Sequence, residues 1–377
     1  MQNVYQKSLE LHEKLGGKLE TGLKCKLETR EDLSLAYTPG VAEVSREIAK
    51  DPKNLYKYTI KKNTVAVITD GTAVLGLGNV GPAAALPVME GKCALFKKFG
   101  GVDAYPICID ERDPKKFIEI VKKISTGFGG INLEDIAAPH CFEIERTLIK
   151  ELDIPVFHDD QHGTAIVVLA GLINALKVSD KKIGDVKIVI CGAGAAGLAI
   201  AELLHFYGAK HILIVDTKGI IYEGREHMDE EKTRLAQITN PKKVYGNFTD
   251  ALYGANVFIG VSKAGILTKE MIKTMDVDPI IFAMANPEPE IMPEDAKAAG
   301  AFIVATGRSD CDNQINNVVA FPGIFRGALD KGIKKFNLEM FVETSKALAE
   351  CVLNPTRDKI IPEPFDEKAH EAVAKAI

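Results

Sequence analysis

The residues best placed to do chemistry lie in PVFHDDQHGT, positions 155–164. Two adjacent carboxylates, Asp159 and Asp160, follow an apolar run that reads as a strand. An uninterrupted apolar helix, TAIVVLAGLINAL (164–176), follows them. Charge at the end of a buried strand is costly unless it is paired or coordinates a metal. About 25 residues upstream, Glu134 and Asp135 supply a second adjacent pair. Glu134, Asp135 and Asp160 form a set of hard oxygen donors suited to Mg²⁺ or Mn²⁺. The competing reading has Glu134 and Asp135 capping the helix that begins near Pro139. His158 and His162 are four apart, as in a helical zinc pair. Gly163 and the strand-like lead-in argue against a helix there, so both histidines are read as packing or supporting groups.

Two further positions suit proton transfer. Tyr37 sits in a loop between Ala36 and Thr38-Pro39-Gly40, outside any core pattern. Lys92 follows Gly91 in PVMEGKCALF, amid apolar residues. A lysine there either snorkels or is held with its pKa lowered for base work. Asn286 in MANPEPE and Asn316–Asn317 in DNQINNVVAFPG fall at or after strand ends, where parallel sheets bind ligands. An Asn before Pro can equally start a turn.

GxGxxG occurs twice, at Gly76–Gly81 and at Gly192–Gly197. The second follows a five-residue apolar strand, opens a helix through Ala195 and Ala196, and is followed 19 residues after Gly197 by Asp216 at the next strand end. That is the dinucleotide fingerprint: a tight turn at Gly192, close backbone approach at Gly194, a helix N-terminus for the pyrophosphate, and an acid for a ribose hydroxyl. The first match has no acid at the right distance and is interrupted by Pro82, so it reads as a turn lining the substrate site. Asp216 favours NAD, while the nearby Lys218 would suit NADP.

The elements that must position these groups alternate strand and helix. Strands are expected at 64–71, 102–110, 130–136 and 154–159, with a loop entering a helix at 33–49, a glycine-rich stretch that turns helical at 75–100, and helices at 113–125 and 141–152 among them. A second set follows at 186–194, 211–216, 255–262, 279–286 and 301–307. Continuous apolar strands of this kind imply parallel sheets covered on both faces. The fold class is therefore α/β with two domains, an N-terminal parallel α/β sheet domain over 1–161 and a Rossmann-type dinucleotide-binding domain over 162–345. A tail, 346–377, is expected to pack back on the body. A net charge of −5 gives no electrostatic case for nucleic acid or an anionic membrane. No apolar run approaches a membrane span, and the N-terminus has no apolar signal region and reads as an amphipathic helix. Seven scattered cysteines without a CxxC pair suggest reduced thiols and a cytoplasmic location.

Taken together, AYTPGVA, TDGTAVLGLGNVG, MEGKCALFKKFGG, NLEDIAAP, FHDDQHGTA, GAGAAG, VDTKGIIY, MANPEPEI and TGRSDCDNQINNVVAFPGIFRGALD resemble malic enzyme in its short bacterial or archaeal form. The resemblance runs in order across residues 35–330. It implies metal-dependent oxidative decarboxylation of (S)-malate to pyruvate and CO₂ with NAD or NADP, in a homodimer. It assigns Tyr37 as proton donor and Lys92 as general base, with Asp159 as the acid paired with that lysine. It gives Glu134, Asp135 and Asp160 as ligands of Mg²⁺ or Mn²⁺, and Asn286 and Asn317 as amides contacting substrate or cofactor. One departure stands out: larger members carry an arginine for the substrate carboxylate just after TDG, where this chain has Ala73. The rivals weighed are a metal-free amino-acid dehydrogenase, a related 2-hydroxy acid decarboxylase and a non-catalytic NAD-binding regulator.

Overall fold

The structure, a computed structural model, describes residues 2–74 and 76–377. Met1 and Leu75, the first residues of the expected N-terminal helix and of the 75–100 stretch, lie outside the described residues.

Two parallel sheets carry the molecule. The first is built from β1 (Thr64–Thr69), β2 (Asp103–Cys108), β3 (Gly130–Leu133) and β4 (Val156–His158), in the order β2-β1-β3-β4. The second is built from β5 (Lys187–Cys191), β6 (His211–Asp216), β7 (Gly219–Ile220), β8 (Val257–Gly260), β9 (Ile280–Ala283) and β10 (Ile303–Thr306), in the order β10-β9-β8-β5-β6-β7. Every pairing is parallel except that of β7. Strands β1, β3, β4, β8, β9 and β10 are buried throughout. That is why they read as continuous apolar runs without alternation.

The helices that concern the site are α1 (Gln2–Leu15), α2 (Arg30–Ala36), α3 (Val41–Lys50), α4 (Asn54–Tyr58), α5 (Pro82–Gly100), α6 (Pro114–Ile124), α7 (His140–Glu151), α8 (Thr164–Val178) and α9 (Ala195–Tyr207). Helix α2 replaces part of the loop expected before Tyr37. Thr29 and Asp32 form its capping box, satisfying two N-terminal donors. Every residue from Ala165 to Leu176 of α8 is buried, as an all-round apolar helix requires. The expectation that no segment reaches span length needs amending. The helical stretch Asp159–Val178 is long and apolar enough to cross a bilayer, but 78% of it is buried inside the protein, as befits a core helix.

The C-terminal part closes over the first sheet. Phe321 and Phe325 meet Phe96 of α5 edge-on, with centroids 4.7 and 5.3 Å away. His370 stacks on Phe99 at 4.4 Å. The N-terminal arm is the opposite case: none of the side chains from residue 4 to residue 60 is buried.

Candidate active site

Ligands of a parallel sheet bind beyond the carboxyl ends of its strands, where the strand order reverses. In the first sheet that edge receives Asp70 from β1, Glu134 and Asp135 from β3, and Asp159 and Asp160 from β4. The register explains their meeting. Leu133 lies opposite His158, so the two acid pairs leave the sheet side by side. One carboxylate oxygen each from Glu134, Asp135 and Asp160 lie within 4.8 Å of one another. The Asp135 backbone N–H donates to Asp160 Oδ2 at 2.8 Å, and Asp135 itself adopts φ 54°, a left-handed turn that Asp tolerates. The capping alternative does not hold, because α7 starts at His140 with no side-chain cap.

Lys92 enters this edge from α5. Its Nζ lies 2.6 Å from Asp159 Oδ2, 2.9 Å from Glu134 Oε1 and 4.3 Å from the centroid of the Phe321 ring. Burial pulls the ammonium toward neutrality, but Asp159 and Glu134 outweigh it, and the pKa ends well above the ordinary lysine value. The shift runs opposite to the lowered value that the sequence offered as one alternative, because two carboxylates favour the ammonium. Burial drives the Glu134 carboxyl well above its usual range against the pull of Lys92. Asp159 is raised for the same reason. Asn132, fully buried in β3, donates to Glu134 Oε2 at 2.8 Å.

The turn Asp159–Gly163 corrects the non-helical reading. It is a wide, π-type helical turn leading into α8. A Cβ on Gly163 would fall 1.8 Å from Asp159 Oδ1, so only glycine lets that carboxylate face Lys92. Glu145 of α7 fastens this turn. It accepts from the His158 backbone N–H and from Gln161 Nε2, both at 2.9 Å, and lies 3.0 Å from His162 Nε2. Burial raises the Glu145 carboxyl, but His162 outweighs it and the net shift is downward. His162 moves upward, its burial overcome by Glu145. His158 is fully buried with Nε2 3.7 Å from Asp160 Oδ2. His162 braces Glu145, while His158 packs beside Asp160 without a hydrogen bond among the described residues, and the two do not form a zinc pair. Glu145 escaped notice in the sequence, although its place among Cys141, Ile144 and Leu148 puts an acid on the buried face of a helix.

Tyr37 stands apart. It follows the last residue of α2, its side chain is 65% exposed, and among the described residues no hydrogen bond joins it to the cluster. The structure brings Lys92 and the acids together and leaves Tyr37 on the surface.

In the second sheet, β5 runs through Gly192 and Gly194 into Ala195, Ala196 and Gly197 of α9. A Cβ on Gly197 would lie 1.7 Å from the Gly192 carbonyl, and one on Gly192 would lie 2.6 Å from the Val261 carbonyl. Nothing lies within 4 Å of the corresponding point on Gly194. The turn is therefore closed on the protein side and open where a pyrophosphate approaches, which fits a dinucleotide. Asp216 ends β6, the strand paired directly with β5. Glu290, fully buried and absent from the sequence reading, accepts from the N–H groups of Ser262 and Ala285 at 2.9 and 3.0 Å. It ties together the chain ends leaving β8 and β9.

The two sheets face each other across these edges. A Cβ on Gly76 would lie 2.1 Å from the Asn286 carbonyl, so the first glycine-rich turn touches the loop after β9. Pro82 does not interrupt that turn. It takes the first position of α5, where a proline costs no hydrogen bond. Asn286 is exposed on this loop. Asn317 is half-buried, with its Cβ against the Gly163 turn that carries Asp159.

The chain matches the malic enzyme N-terminal domain over residues 16–149 and the malic enzyme NAD binding domain over residues 161–374. It is 57% identical to the bifunctional malic/malolactic enzyme of Bacillus subtilis, covering all of this chain and 92% of that protein. It is 46% identical to the NADP-dependent malic enzyme of Halomonas elongata, covering 99% and 92% respectively. The crystal structure of an NAD-dependent malic enzyme from Thermotoga maritima superposes with a TM-score of 0.95 at 53% identity over 98% of both chains. The chain belongs to the malic enzyme family.

Proposed function

We propose that this protein oxidatively decarboxylates (S)-malate to pyruvate and CO₂ with NAD or NADP and a divalent ion, Mg²⁺ or Mn²⁺. The observation that carries the reading is the meeting of Glu134, Asp135 and Asp160 at one sheet edge beside the clasped Lys92. An all-oxygen donor set, with Glu134 and Asp135 buried and Asp160 partly open, fits a hard cation. When bound, the ion would supply Lewis-acid polarisation and the nicotinamide a hydride acceptor.

The chain's own residues then divide the work. Glu134, Asp135 and Asp160 hold the ion. Gly192, Gly194, Ala195, Ala196 and Gly197 receive the pyrophosphate, Asp216 the ribose, and Asn286 and Asn317 orient substrate and nicotinamide. Lys92 moves the proton of the C2 hydroxyl, kept in place by Asp159. To accept that proton Lys92 must first give up its own, and Asp159, 2.6 Å away, is the adjacent acceptor. Tyr37 delivers a proton to C3 of the enol. Its arm carries exposed Leu9, Leu15, Leu33 and Leu35, an apolar surface of the kind a second copy covers in a homodimer. The division into residues 1–161, residues 162–345 and a tail 346–377 belongs to this reading, supported by the two sheets and by the stacking of His370 on Phe99.

The test is malate with each cofactor, with and without Mn²⁺, following absorbance and CO₂ together. Reduced cofactor and CO₂ formed in equal amounts, and only with the ion, are expected. Cofactor reduction without CO₂ would overturn the decarboxylase reading, and turnover undiminished by a chelator would overturn the metal.

A further inference from the structure

The acids at the edge of the first sheet outnumber its cations. Glu134, Asp135, Asp159 and Asp160 face Lys92 and, when bound, one divalent ion. Malate would bring two further negative charges. Like charges gathered in one crevice repel such a ligand unless a cation answers it. Ala73, just after the TDG turn, offers none.

Arg308 lies on the facing edge, after β10 and Gly307. A Cβ on Gly307 would fall 3.0 Å from Asn286 Nδ2, so this chain end packs on the loop after β9. Arg308 Nη1 donates to the Pro287 carbonyl at 3.3 Å. The adjoining Asn286 carbonyl is the group that meets Gly76 of the first sheet's glycine-rich turn. The guanidinium is thus held where the two edges touch, with its side chain only 12% exposed. Asp310 fills its fork: Oδ1 and Oδ2 accept from Nε and Nη2 at 2.8 and 2.5 Å. That acid comes from the same loop, and its side chain is 62% exposed. A largely solvated carboxylate gains little from such a pair, so another carboxylate can replace it at small cost. Arg112 also reaches the glycine-rich turn, donating to Asn79 Oδ1 at 2.9 Å. It is exposed, however, and follows β2, which β1 separates from the acids of β3.

We propose that Arg308 is a substrate-binding residue: its fork exchanges Asp310 for the C1 carboxylate of malate, the one that pyruvate keeps. The choice of carboxylate follows from the chemistry. The C4 carboxylate leaves as neutral CO₂, so a cation holding it would favour the ground state over the transition state. The C1 carboxylate stays charged throughout, so Arg308 grips substrate and transition state alike. This rests on the malate reading of the site.

The experiment is calorimetric titration of malate into the full chain loaded with Mn²⁺ and NADH, a complex that cannot turn over, paired with steady-state kinetics. Arg308→Ala should weaken malate by about 10–100-fold, the weight of a hydrogen bond between charged groups. KM for malate should rise in proportion while kcat stays within about threefold, as removal of uniform binding requires. Asp310→Asn should leave malate bound as tightly as in wild type, or more tightly. A fall in kcat at unchanged KM, or equal losses of malate affinity in Arg308→Ala and Asp310→Asn, would make the pair a brace of the loop and overturn the proposal. A larger loss in Arg112→Ala than in Arg308→Ala would overturn it as well. If Arg308→Ala does not fold, Arg308→Gln, which keeps an N–H donor and loses the charge, decides, and unchanged malate affinity there overturns the proposal. Failure of wild type to bind malate in this complex would instead overturn the malate reading itself.

Discussion

Lys92 and Tyr37 are assigned to the two proton transfers of one reaction, yet they stand in opposite surroundings. Lys92 is buried on a long helix, held by Asp159 and Glu134 at 2.6 and 2.9 Å and roofed by Phe321. Tyr37 follows a seven-residue helix in an arm where no side chain from residue 4 to residue 60 is buried. The first position is fixed by its own fold, because moving Lys92 would leave two carboxylates buried and unpaired. Among the described residues, no side-chain hydrogen bond holds the second in place. The comparison teaches that the charge geometry around Lys92 is built within the chain, whereas the arm that carries Tyr37 leaves its ring exposed.

The sharpest way to break the comparison is Lys92→Ala. It should cut both malate oxidation and oxaloacetate decarboxylation by about 10²–10⁴-fold, the usual weight of a positioned acid–base group. Loss of only one step, measured with each substrate separately, would detach Lys92 from the shared role. Tyr37→Phe should lower pyruvate release by about 10²-fold and leave oxaloacetate reduction within a few-fold of wild type. Equal losses in both assays would reject Tyr37 as the donor to carbon. Glu145→Gln keeps the shape of the brace under the 158–162 turn but removes its charge. Supports of this kind are worth about 10–100-fold in metal affinity, so Mn²⁺ binding should weaken while cofactor binding holds. If Mn²⁺ affinity is unmoved, the brace acts on packing alone.

The smallest effect concerns pH. Burial raises Asp216, but Arg225 and the Lys218 N–H more than offset it, so its folded pKa lies below the ordinary 3.8. A group depressed on folding contributes stability above its unfolded pKa and loses it as pH falls through the folded one. The stability gap between wild type and Asp216→Asn should therefore be full at neutral pH and close below about pH 4. Denaturant melts across that range check it, and a gap that widens on acidification would contradict the pairing with Arg225.

Much of this was legible in the sequence because burial writes itself locally. The strands are fully buried, so they stand out as apolar runs, and the acids that end them break those runs abruptly. The Gly192–Gly197 turn was legible because close backbone approach leaves no alternative to glycine. What escaped depends on partners distant in sequence. Arg225 meets Asp216 only because the chain turns back through β7, and nothing in GREH marks it. Glu290 is drawn inward by free N–H groups after β8. The wide turn at 159–163 was hidden because Gly163 signals a break, whereas its real office is to make room for Asp159. The exposure of Tyr37 was equally hidden, since a loop tyrosine looks the same whether it faces a site or open solvent.

The central claim is that Glu134, Asp135 and Asp160 share one divalent ion. Calorimetric titration of Mn²⁺ into the wild-type chain and into Asp160→Ala tests it most directly. One ion per chain is expected for wild type, with affinity at least about 100-fold weaker in the variant, as befits removal of a charged oxygen ligand. Equal affinity in the two proteins, or no binding by wild type, would contradict the account.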